Sequence, residues 1–186
     1  MLDATKLGLA YGLSEVGLAL VARARARGAR SSDRGSLALV WVVIALALPA
    51  SIWVARNVAF GRYERSTALD GAGLALFVGG VGLRGWAIAV LGRFFTVDVA
   101  IHTDHELVRR GPYRLLRHPS YTGALLAFLG LASTMQSVPA VCTALVPILL
   151  VLLWRIRVEE QALAAHFGSR WAEHCAKTWR LLPCVW

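Results

Sequence analysis

Two short stretches of this chain hold most of the residues able to do chemistry. The first is GPYRLLRHPSYTG, residues 111–123, with two arginines, a histidine and two prolines between long apolar blocks. Gly111-Pro112 predicts a turn, with Pro112 setting the backbone angle. Pro119 fits the first turn of a helix, where its missing N–H costs nothing. Such a helix start presents unpaired N–H groups and a partial positive charge. With Arg114, Arg117 and His118 beside it, the chemistry expected is the holding of a carboxylate or another anion. A polar connector whose arginines meet lipid phosphates would have the same composition, and the segment alone does not separate the two.

The second stretch is WRIRVEEQALAAHFGSRWAEHC, residues 154–175. Its apolar spacing predicts a helix that continues out of the preceding apolar run. Arg155 and Glu159 stand four apart and share one face, while Glu160 is rotated away and is placed to pair with Arg157. His166 and His174 read as surface residues. His102 and His105, with Asp104 near them, do not make a metal site, because no HExxH pattern or Cys/His quartet supports them. Cys142, Cys175 and Cys184 show no metal or redox spacing; Cys142 reads as packing within an apolar run and the others as free thiols.

The elements that position these residues are apolar helices. The 186-residue chain is 57% hydrophobic and only 17% charged, where soluble domains carry about a quarter charged residues. Five runs read as membrane spans: Leu7 to Ala22, Leu37 to Ala55, Leu69 to Leu91, Tyr121 to Val138 and Ala140 to Trp154. The last two form a tight hairpin around Pro139. No cleavage site is evident after the first run, where RARARGARSSDRG follows, so it reads as a retained helix and not a signal peptide.

The net charge of +9 has a side. Residues 23–36, 92–120 and 155–186 hold five basic residues each, and the opposite loops hold only Lys6, Arg56, Arg62 and Arg65. That is the bias of a multi-pass membrane protein with basic loops in the cytoplasm. The arginines of RARARGAR then act as a topology signal that also touches anionic membrane lipid. Nucleic-acid binding is not expected, since no aromatic-rich soluble domain accompanies the charge. Within the third span the glycines of GAGLALFVGGVGLRGW predict close approach of a neighbouring helix. Arg84, in that span, needs a partner or a wet cavity. Residues 1–68 read as an N-terminal two-span segment. Residues 69–186 read as a functional core of third span, connector 92–120, hairpin 121–154 and C-terminal helix and tail 155–186.

Taken in order, LGRFFTVDVAIHTDHELVRRGPYRLLRHPSYTGALLAFLG and RVEEQALAAHFGSRWAEHCAKTWRLLP resemble the isoprenylcysteine carboxyl methyltransferase family and, more distantly, membrane phospholipid N-methyltransferases. The resemblance covers Leu91 to Pro183 through the H-x-L-V, G-x-Y, R-H-P-x-Y-x-G and E-E…F-G elements. It implies an all-α integral membrane enzyme that uses S-adenosyl-L-methionine and releases S-adenosyl-L-homocysteine, with a cytoplasmic cofactor pocket between connector and last helix. Carried over residue by residue, it implies cofactor contacts at His105, Glu106, Leu107, Val108, Tyr113, His118, Pro119, Ser120, Tyr121 and Glu159, and a further, loosely aligned contact near Asp98. Arg155 takes the place of the arginine facing the substrate carboxylate, so that Arg155 and Glu159 form the catalytic pair, with no metal. The chain reads as short beside the eukaryotic members, without their extra N-terminal spans.

The activity implied is carboxyl O-methylation of an isoprenylcysteine-like or other lipophilic carboxylate. An ionised carboxylate needs a cation to hold it but no general base. N-methylation of an ethanolamine-type phospholipid is the alternative and would need a base such as Glu159 or His118. A non-enzymatic membrane scaffold is the reading from another class, and predicts no cofactor affinity. The expected partners are a lipophilic or lipid-linked substrate and membrane lipids. The expected setting is a bacterial-type plasma membrane, with the acceptor's identity and the oligomeric state left open.

Overall fold

In the computed structural model of the protein, residues 8, 12, 15, 17, 30–33, 35–95, 99–101 and 106–184 are described. Among the described residues the helices with full bounds are α1 (Gly35–Asn57), α2 (Thr67–Leu91), α3 (Pro119–Ser133), α4 (Val138–Phe167) and α5 (Ser169–Lys177). Their limits follow from local chemistry. Ser66 caps α2 by accepting from the Leu69 amide at 3.2 Å, and Gly92 ends it at φ 58°. Ser137 caps α4 in the same way through the Ala140 amide, with Pro139 in the first turn. The α1 C-terminus is closed by a cation, since Arg62 donates to the carbonyls of Ala55, Arg56 and Val58 at 2.9–3.0 Å.

Among the described residues α1, α2 and α4 are long and apolar enough to cross a membrane. Their outward faces carry Val42, Leu46, Val78, Trp86 and Leu150, all exposed, as lipid contact requires. The protein is an integral membrane protein. The fourth expected span differs in form, because α3 has only 15 residues and is buried along most of its length. It is an inner helix, enclosed by α2 and α4. The chain then turns through Thr134 to Gln136, and Val138 starts a single helix that runs unbroken through the expected exit at Trp154. Of the first expected span only Gly8, Gly12, Glu15 and Gly17 are described, all helical. The rest lies outside the described residues.

Glycines hold α2 against α3, as the spacing in the third span predicts. A Cβ on Gly80 would stand 2.5 Å from the Gly123 carbonyl and the Ala127 amide, and one on Gly73 would stand 2.5 Å from the Ser133 hydroxyl oxygen. Gly71, Gly79, Gly82 and Gly85 face open space instead, so only one stripe of the glycines serves this packing. Beneath it Phe77, Ala124, Phe128, Leu131, Ile148 and Leu152 form the core shared by α2, α3 and α4, with Val40 and Ala47 joining from α1.

The two ends of the bundle differ. At one end the loop after α1 pairs with the α3–α4 turn: Tyr63 donates its hydroxyl proton to the Ser133 carbonyl at 2.7 Å, and the Val138 amide reaches Gly61 at 3.0 Å. At the other end lies an element beyond an all-helical reading, a short antiparallel ribbon of β1 (Arg30–Asp33) and β2 (Val99–Ile101). It ties residues 30–33, just before α1, to residues 99–101 of the connector after α2.

Candidate active site

The polar end of the bundle collects side chains from α1, α2, α3 and α4 and from the helical residue Glu15. Tyr121, in the first turn of α3, is central. Its hydroxyl accepts from Arg155 Nε at 2.9 Å and donates to Glu159 Oε2 at 2.8 Å. Arg155 also gives Nη1 to the Ser36 hydroxyl at 2.7 Å, and both Arg155 and Ser36 are buried. The i,i+4 placement of Arg155 and Glu159 on α4 is thus realised with Tyr121 between them. Glu159 stays partly open, with 32% of its side chain exposed, and its Oε2 lies 3.9 Å from His118 Nδ1. The His118 and Tyr121 rings are stacked with centroids 5.6 Å apart.

Tyr113 is buried on the short 3-10 turn of residues 111–114, next to this cluster. Burial first, then the Glu159 carboxylate, pushes its hydroxyl above the usual tyrosine range. It therefore remains a neutral donor at any physiological pH. Pro119 is fully buried and Ser120 nearly so. Glu106 is exposed, and Leu107 and Val108 are half-buried on the extended stretch leading to Gly111. Among the described residues none of these three hydrogen-bonds to the cluster. His105, His102 and Asp98 lie outside the described residues. Among the described residues no group of His, Cys, Asp and Glu could hold a metal ion.

A second layer locks the first. Glu160 accepts from Arg117 Nε at 3.0 Å and from Arg180 at 2.8 and 3.1 Å, and its Oε1 lies 3.2 Å from His118 Nε2. The expected Glu160–Arg157 pair does not form; Arg157 is exposed. The reason is tertiary: Arg117 from the connector and Arg180 from the tail converge on Glu160, with the His118 ring beside them, and outweigh one exposed i,i+3 contact. The tail also pairs with the connector through backbone. Arg117 and His118 donate to the carbonyls of Trp179 and Arg180, the Trp179 amide donates to Leu115, and the Thr122 hydroxyl donates to Leu181 at 2.6 Å.

This clasp alters one expectation about the α3 N-terminus. The amides of Tyr121 and Thr122 both reach the His118 carbonyl at 3.1 Å, and Pro119 has no N–H. At most the Ser120 amide is left for an anion, so guanidinium groups and not the helix end supply the positive charge here.

Two further expectations are corrected. Cys142 is exposed on α4, facing outward and not packed. His174 is buried and not a surface residue: it sits under Trp171 with ring centroids 5.8 Å apart. Burial, reinforced by Arg109, Arg117 and His118, lowers its pKa to about 4. An unfolded histidine takes its proton near 6.5, so between pH 6.5 and 4 protons favour the unfolded form. The tail should therefore be most stable above pH 6.5 and loosen as pH falls toward 4. Amide exchange at Arg117 and His118, followed at pH 7 and pH 5, checks this; His174→Gln should flatten the difference.

Sequence reasoning named Arg84 without its partner, which is Glu15. Arg84 donates Nε and Nη2 to the two oxygens of Glu15 at 2.6 and 2.7 Å, and Nη1 to the Ser120 hydroxyl at 2.8 Å. One acid and one base in separate apolar runs was the available signal. Ser36 had no such signal. Glu15, Arg84, Ser120, Tyr121 and Arg155 line the polar end of a cavity of about 160 Å³ whose other walls are almost entirely apolar, from Val40 and Ile44 to Phe128, Leu131 and Leu152.

A family model described as phospholipid methyltransferase matches residues 70–170. A rice protein (Oryza sativa subsp. indica) named probable protein-S-isoprenylcysteine O-methyltransferase is 33% identical over 120 residues, covering 61% of this chain and 60% of its own length. Protein-S-isoprenylcysteine O-methyltransferase B of Arabidopsis thaliana is 31% identical over 150 residues, covering 76% of this chain and 74% of that protein. The chain thus spans about three fifths of the rice protein's length. Among solved structures, a eukaryotic intramembrane Ras methyltransferase, isoprenylcysteine carboxyl methyltransferase, superposes with a TM-score of 0.63 at 22% identity, over 78% of this chain and 52% of that one. At that identity the likeness concerns the fold.

Proposed function

This chain belongs to the phospholipid methyltransferase family, and we propose that it is an S-adenosyl-L-methionine-dependent methyltransferase that esterifies a lipophilic carboxylate of isoprenylcysteine type. The observation that carries the reading is the Arg155–Tyr121–Glu159 chain at the polar end of a cavity whose remaining walls are apolar. A buried guanidinium with apolar walls beneath it suits an amphiphile with one anionic head.

The residues present fit the cofactor. Glu159 offers a partly open carboxylate, and the rings of Tyr121 and His118, with buried Tyr113, provide aromatic surface for a cationic centre. Glu159, Tyr121, His118 and Tyr113 would hold the cofactor, with the connector at His105 to Val108, Pro119 and Ser120 framing it. When bound, S-adenosyl-L-methionine supplies an electrophilic methyl group on a positive sulfur.

What the chain's residues contribute is positioning. An acceptor carboxylate is ionised at neutral pH, so no proton need be removed. Arg155 holds it by a two-pronged contact, and Tyr121 and Ser36 fix the guanidinium in its orientation. Glu159, held by Tyr121, balances positive charge on the cofactor side. The cavity is comparable to the roughly 150 Å³ apolar cavities that admit a benzene ring, so it takes one isoprene-sized unit next to the head group. The rest of a longer chain would lie along the lipid-facing surface.

N-methylation of a phospholipid amine is the competing reading within the family. It would need a base such as Glu159, whose Oε2 accepts from Tyr121, or His118, whose Nε2 lies 3.2 Å from Glu160 Oε1. The two readings are separated by incubating purified protein with methyl-labelled cofactor and either a farnesylated cysteine carboxylate or phosphatidylethanolamine. Label in the first that is released as methanol by mild base supports esterification. Base-stable label confined to the second overturns it.

A further inference from the structure

We propose that Arg84 is a second seat for the acceptor's anionic head group, and that Glu15 is an internal carboxylate filling that seat until the acceptor takes it. The inference rests on the acceptor being an amphiphilic anion, as argued above, and adds how the cavity selects it. Besides Tyr121, the ionisable side chains lining the cavity, among the described residues, are Glu15, Arg84 and Arg155. Arg84 holds Ser120 and Arg155 holds Tyr121, so adjacent residues in one helical turn bring the two guanidinium groups to the same polar end.

The geometry of the Arg84 contact is what makes it a seat. Nε and Nη2 each meet one oxygen of Glu15, the paired arrangement in which a guanidinium best recognises a carboxylate. Any carboxylate of the same shape satisfies Arg84 equally well, and the displaced Glu15 must swing out of the cavity or take up a proton, a cost the acceptor's own binding has to exceed. Glu15 is itself buried and comes from the N-terminal helix, upstream of the residues that the family model matches. It reaches the cavity from a different element than either arginine. The N-terminal segment therefore contributes the competitor against which acceptor affinity is set. An uncharged or cationic head group gains nothing by displacing Glu15, so the pair also discriminates against such lipids.

The test is direct binding in detergent, by calorimetry, of (dodecylthio)acetate and of its methyl ester to wild type and to Glu15→Gln. The substitution removes the competing charge and keeps the side chain's size. The carboxylate should bind about tenfold more tightly to Glu15→Gln, the size of one charge-assisted hydrogen bond, with the ester unchanged. Unchanged or weaker carboxylate binding by the folded variant overturns the role of Glu15. If Glu15→Gln does not fold, Glu15→Asp decides: one methylene shorter, it loses one of the two contacts, and carboxylate affinity should rise severalfold. Equal affinity to wild type overturns the proposal. Should wild type bind ester and carboxylate alike, the anion-seat reading of the whole cavity fails, and that failure is distinct from a failure of Glu15 alone.

Discussion

Replacing Arg155 by alanine should lower kcat/KM for a carboxylate acceptor by about 10- to 150-fold, the equivalent of about 1.5–3 kcal/mol for a charge-assisted contact. Affinity for S-adenosyl-L-homocysteine should change only a few-fold. The split follows from where the guanidinium points. Arg155 lies on the cavity side of Tyr121 and Glu159 on the open side, so the loss falls on the acceptor. Arg155→Lys should recover part of the activity, because the charge remains but the planar fork is lost. Steady-state kinetics at saturating cofactor, with calorimetry of the product cofactor, reads both quantities. Collapse of cofactor affinity with acceptor kinetics intact would reverse the two roles.

Gly123→Ala should be as damaging through packing alone. A Cβ there would meet the Gly80 carbonyl at 2.6 Å and the Arg84 amide at 2.7 Å, both backbone atoms that cannot swing aside. Gly80→Ala meets the mirror problem at 2.5 Å from Gly123 and Ala127. Helices α2 and α3 must separate, at a cost of about 1–3 kcal/mol for each added methyl. Because Arg84 shares that contact, the cavity's polar end moves with it. Gly79→Ala and Gly82→Ala are the controls: both face open space, and helix propensity should make them neutral or stabilising by up to about 1 kcal/mol. Thermal unfolding in detergent compares the four. Equal midpoints would contradict the packing assigned to this interface.

The parts of this molecule that were legible in the sequence are those set by local pattern. Apolar length marks α1, α2 and α4; Pro119 marks the start of α3; the clustered glycines mark a helix contact; and i,i+4 spacing puts Arg155 and Glu159 together. The less legible parts are set by distant partners. Glu160 is governed by Arg117 and Arg180, 43 and 20 residues away, so its helical neighbour Arg157 was a poor guide. The tail's backbone pairing with residues 115–118 has no compositional signature at all. Nor does Ser36, one hydroxyl at the edge of an apolar run, which finds Arg155 across 119 residues. His174 was misjudged for a related reason, since its short helix looks amphipathic and solvated until the connector's arginines close over it. In a membrane chain exposure also changes meaning, and outward-facing Cys142 meets lipid where a soluble protein would bury it.

The central claim is that Glu159, held by Tyr121 beside the His118 ring, faces a bound S-adenosyl cofactor. Calorimetric titration of the detergent-purified protein with S-adenosyl-L-homocysteine, beside the Glu159→Ala variant, tests it most directly. The account predicts micromolar-range binding by wild type that weakens at least tenfold in the variant, about 1.4 kcal/mol or more. No binding by folded wild-type protein, or equal binding by the two, would contradict it.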